Sequence, residues 1–127
     1  MDGNYSEAIS TFLNFIQTAK ADYDWYYKEM IKQEDLTQDY LHQLELEHLD
    51  YKERAKIATK LAQCRKDRRE AKDHVEVLAQ FIPWVEQQEK PLNQLKETLG
   101  KLRKEEQKIK TRTYRFKVLE KENIANG

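Results

Sequence analysis

Residues 9–30 read ISTFLNFIQTAKADYDWYYKEM. With Ile9 at position a of a heptad, Ile16, Tyr23 and Met30 recur at a, and Phe12, Ala19 and Tyr26 at d. Such a 3–4 alternation places its apolar residues on one stripe of an α-helix. The frame runs on through Gln33, Thr37, Tyr40 and Leu44 to Glu47, with Leu13, Tyr27 and Leu41 added at e. It predicts one helix over about residues 5–48, roughly 60 Å long at 1.5 Å per residue. Asn4 followed by Glu7 is a capping start. Gln33 and Thr37 thin the stripe midway, and Asp35 offers a cap there, so a break near 33–36 is the alternative.

Outward from that stretch, Asp50 and Glu53 form a second capping box. A new frame follows it, with Arg54, Leu61, Arg68, Val75 and Ile82 at a and Ile57, Cys64, Ala71, Leu78 and Val85 at d. So short a turn between two long helices makes an antiparallel hairpin. Pro83 removes a donor and clashes with the preceding turn at a cost of about 3 kcal/mol, which predicts a break over 83–91. Pro91 then suits the first turn of a third helix over 91–110, carried by Leu92, Leu95, Leu99, Leu102 and Ile109. Residues 1–110 are therefore expected to form an all-α three-helix bundle, a long coiled-coil-like hairpin plus a shorter helix. In the tail, 111–127, Tyr114, Phe116 and Val118 alternate with polar residues, so it either docks as an extended segment or prolongs the helix.

Composition agrees. Charged residues make up 36% of the 127, the mean hydropathy is −1.00, and Gly and Pro number three and two. Few turns and many helix formers mean long helices around a thin core. The lone Cys64 excludes an internal disulfide and fits a reducing compartment. No apolar run approaches the ~20 residues that span a membrane. No basic, apolar leader opens the chain. The expected location is the cytosol.

Charge is segregated. Residues 1–50 hold three Lys/Arg against eleven Asp/Glu, 51–90 ten against seven, and 91–127 ten against five. An acidic first helix beside two basic ones is explained by pairing between helices. Equally, one charged surface could steer a partner. Lys60, Arg65, Lys66, Arg69 and Lys72 form the densest basic run and the candidate nucleic-acid patch, although Asp67, Glu70 and Asp73 interleave with it. Arg68, at a, faces Glu29 or Glu34 of the first helix.

The aromatic run also divides. Tyr23 and Tyr26 belong to the seam, while Trp25 and Trp84 fall at c with no assigned partner. Either the third helix covers them, or they anchor an interface. Trp25, Tyr27, Asp22, Asp24, Glu29 and Trp84 are thus the candidate partner-binding residues. The third helix reaches only the start of helix 1 and the end of helix 2, so the apolar residues beyond it call for a second copy or another protein.

Catalysis finds no footing. His42, Glu45 and His48 are spaced three apart, but a di-iron bundle site needs a matching set on another helix, and His74 stands alone. Phosphate-loop and nucleophile motifs are absent from the sequence. Neither a cofactor nor a metal is expected.

Two segments, "FLNFIQTAKADYDWYY" and "DYLHQLELEHLDYKERAKIATKLAQCRKDRREAKD", resemble small helical proteins of bacterial phages and prophages. The likeness covers most of the chain but contains no functional motif, so no residue role transfers. It implies a host bacterial cytosol and a partner that is a host or immune-effector protein, as for anti-CRISPR inhibitors.

Overall fold

In the computed structural model, residues 4–112 and residue 118 are described. Three helices follow in order: α1 (Tyr5–Leu46), α2 (Tyr51–Gln87) and α3 (Glu89–Thr111). The fold is an all-α three-helix bundle built on the α1–α2 hairpin.

The predicted seam forms it. Ile16 and Ala19 of α1 are buried, as are Ile57, Cys64, Ala71, Ile82 and Val85 of α2. Phe15 meets Phe81 with ring centroids 5.5 Å apart, Tyr26 stacks on His74 at 4.0 Å, and Arg68 Nε donates to Glu34 Oε1 at 2.9 Å. These pairs fix the antiparallel register. The Arg68–Glu34 pair is about 40% exposed on each side, so it is worth at most about 1 kcal/mol.

No break occurs at 33–36, because the polar residues there satisfy one another. Gln33 is buried at d, and its Nε2 donates to Glu29 Oε1 at 2.9 Å. Thr37 Oγ1 donates to the Gln33 carbonyl at 2.8 Å. At the hairpin turn α1 stops at Leu46, two residues short of the expected end. Asp50 caps α2 as predicted, accepting from the Glu53 N–H at 2.8 Å. Arg54, expected in the seam, is exposed and its Nε donates to the Leu49 carbonyl.

The structure departs from expectation at Pro83. The proline lies inside α2, and the interruption expected over 83–91 shrinks to Gln88. The reason is energetic. Ile82 and Val85 flank the proline and are buried at 8% and 3% exposure. Burying such side chains contributes about 1.5–3 kcal/mol each, which outweighs the ~3 kcal/mol of an interior proline. Pro91 falls in the first turn of α3, where its missing N–H would have had no helical partner.

α3 returns to the start of α1. Glu106 Oε1 and Oε2 accept from the Ser6 N–H at 3.1 Å and the Ser6 hydroxyl at 2.6 Å. Arg103 Nη2 donates to Ser10 Oγ at 3.3 Å. Gly100 sits mid-helix, and a Cβ built there meets nothing within 4 Å. Gly100→Ala is therefore expected to stabilise the protein by about 0.5–1 kcal/mol. Urea denaturation checks this, and a lower midpoint would contradict it. The tail residues Tyr114 and Phe116 lie outside the described residues.

Candidate interaction surface

Two flanks of the hairpin differ. α3 occupies one, beside Ser6, Ser10, Leu13 and Gln17 of α1, with Leu99 buried against them. The other flank is open, and it is aromatic. Phe15 packs at a tilt against Phe81, and Phe81 stacks on Trp84 at 5.7 Å. Further along, Trp25 packs edge-on to Tyr26 at 5.0 Å, and Tyr26 stacks on His74. Trp25 is 59% exposed and Trp84 45%; Val77 between them is 71% exposed. Neither tryptophan is covered by α3, so that option is set aside.

The expected anchor set splits. Successive helix residues turn by 100°, so Trp25 and Tyr27 point 200° apart. Tyr27, 44% exposed, lies on the opposite flank with Tyr23 at 6.1 Å. Asp22 and Glu29 share the flank of Trp25 and Trp84, whereas Asp24 points away from it. The open face also includes Phe15, Phe81, Val77 and His74, which the heptad reading passed over. Phe15, His74 and Phe81 occupy g, the edge position, in their own frames; pairing the two g edges of an antiparallel hairpin would have found them.

The basic run divides as well. Arg65, Lys66, Arg68 and Arg69 line a shallow groove with Glu34, Asp35, Thr37 and Gln38 of α1. Lys60 lies on the other flank of α2, and Lys72 Nζ approaches Glu76 at 3.9 Å. Of the five expected residues, three converge. Cys64 is buried in the seam, and its thiol pKa is raised by desolvation first and by the nearby Asp67 second. His48 lies beyond the end of α1, so it is not on the helix that carries His42 and Glu45. Among the described residues no group of His, Cys, Asp or Glu could hold a metal ion. Nor is any helix among them long and apolar enough to cross a membrane.

The start of α1 carries a feature that local sequence does not disclose. Asn4 is the N-cap, yet its side chain makes no capping bond. The cap comes from Glu106, one hundred residues away, whose carboxylate takes the Ser6 amide. Hydrogen bonding from Ser6 lowers the Glu106 pKa, with Lys110 and Arg103 adding to the effect against a smaller desolvation penalty. A lowered folded-state pKa means the carboxylate contributes stability above its unfolded value, about 4.3. That contribution is lost as pH falls through the lowered value. The Ser6 amide resonance is expected to titrate with Glu106 at a midpoint below 4.3; a midpoint at or above it would rule out the cap.

No protein-family model, curated protein or solved structure matches this chain.

Proposed function

We propose that the protein is a non-enzymatic protein–protein interaction module that binds through the open face of the α1–α2 hairpin. One observation carries this reading: the aromatic band from Phe15 and Trp84 to Trp25 is exposed on a folded scaffold. Tryptophans on a rigid helix face are favoured anchors, because they offer large contact area at small entropic cost. The acidic character of α1 adds electrostatic steering toward a basic partner. The likeness to phage proteins makes a host defence effector, with its basic nucleic-acid channel, the first heterologous partner to test.

Affinity capture from a bacterial lysate by the wild type and by Trp25→Ala tests the reading. Loss of a stoichiometric partner in the variant, with unchanged circular dichroism, supports it. Partners retained by both would exclude this face. If an acidic surface blocks a channel, binding weakens steeply with salt, and salt-insensitive affinity would remove that part.

A second reading, as a nucleic-acid-binding or regulatory protein, is favoured by the convergence of Arg65, Lys66 and Arg69 on one groove. Glu34 and Asp35 line the same groove and oppose a polyanion there. A mobility shift with short duplexes that vanishes on charge reversal at Arg65 and Arg69 would establish it.

A further inference from the structure

Resting on the interaction-module reading, we infer that the occupant of the open aromatic face is a second copy of this chain, docked about a two-fold axis parallel to the hairpin. The first argument is area. With Phe15 55% exposed, the other exposures as above and about 150–250 Å² per aromatic side chain, Phe15, Trp25, Trp84 and Val77 present roughly 400–500 Å² of apolar surface. A standard interface buries about 800 Å² per partner, about 65% of it apolar in homodimers, or roughly 520 Å². The band alone nearly supplies that share. It falls within the ~300–600 Å² of the largest apolar patch on a typical monomer, a patch that is often functional.

The second argument is charge. Two symmetric arrangements bring like faces together. If the axis crosses the rods, each acidic α1 meets the other acidic α1. If the axis runs along the rods, α1 of each copy meets α2 of the other, antiparallel, at the same level. The pairs Phe15–Phe81 and Tyr26–His74 set those levels. Phe15 then lies over Trp84 of the second copy and Trp25 over its Val77. Beyond the aromatic band, Lys32 of α1 comes level with Asp67 of the facing α2, and Asp39 with Lys60. Glu29, half-buried and bonded to Gln33, comes level with Glu70, an unfavourable pair that the others must outweigh. On the open face α1 carries Asp22, Glu29 and Asp39 against Lys32 alone, so the arrangement that keeps α1 away from α1 is the less repulsive of the two.

Analytical ultracentrifugation of the full chain over micromolar to hundreds of micromolar, at moderate salt, tests this. The expected result is a dimer of twice 15.3 kDa that dissociates on dilution. Val77 is exposed, so Val77→Glu leaves the fold intact by circular dichroism while shifting the chain to monomer. Trp25→Ala weakens the dimer at least thirtyfold, the hot-spot range. Lys32→Glu weakens it further, and adding Asp67→Lys restores it. A wild type that stays monomeric throughout overturns the inference, as does a dimer indifferent to Val77→Glu. A monomer whose Trp25→Ala variant still loses a captured lysate protein would overturn self-association alone and leave the interaction-module reading standing.

Discussion

Ile82→Ala is expected to lower the unfolding free energy by about 2–5 kcal/mol, the range for truncating a buried aliphatic side chain. It is also expected to shorten α2 to an end near Pro83. The two effects share a cause. Ile82 and Val85 are buried on either side of the proline, and their burial holds the helix through a residue that would otherwise stop it. Removing most of one of them tilts that balance toward the proline. The companion variant Pro83→Ala is expected to stabilise, by up to the ~3 kcal/mol an interior proline costs. In the double variant the helix should again reach Gln87. Chemical denaturation gives the energies, and amide exchange at Val85–Gln87 reports the helix end. If Ile82→Ala leaves those amides protected, the proline is tolerated for some other reason.

This region shows where sequence reasoning succeeds and where it stops. Of the d positions of the second frame, Ile57, Cys64, Ala71 and Val85 prove buried and Leu78 half-buried. Their periodicity was legible because a seam needs apolar residues at fixed spacing and little else. The frame also survives Pro83, which a rule about proline alone cannot foresee; the outcome depends on burial against α1, a tertiary quantity. Asn4 teaches the same lesson in reverse. Its residue type is right for a cap, but Glu106 reaches the Ser6 amide from another helix, and no local pattern encodes a contact one hundred residues long. The open face was half legible. Trp25 and Trp84 stood out by falling off the seam. Phe15 and Phe81 did not, because an edge aromatic gains meaning only when its counterpart on the antiparallel helix is known. Tyr27 and Trp25 belong to one aromatic run, yet helix geometry alone turns them 200° apart.

Ala71→Glu carries the other large expected effect. Ala71 is 2% exposed at a d position, and the register places it level with Tyr26 and Met30 of α1. Two large residues on one helix thus face a small one on the other. A glutamate there adds volume where none is free, costing about 1–3 kcal/mol by overpacking. It also places a carboxylate in the seam without a partner, at a further cost of several kcal/mol. A hairpin with so thin a core has little margin, so the variant is expected to be largely unfolded at pH 7 by circular dichroism. The two contributions can be separated. Burial raises the pKa of an unpaired carboxyl, so its folded-state value lies above the unfolded one. The destabilisation is then full above the folded value and relieved as pH falls below the unfolded one. Ala71→Gln carries nearly the same volume without the charge and should lose only the overpacking share, with no such recovery. Helicity regained by Ala71→Glu near pH 4, and not by Ala71→Gln, would assign the larger cost to charge. Equal loss in both variants, independent of pH, would make shape the property that the seam enforces at Ala71.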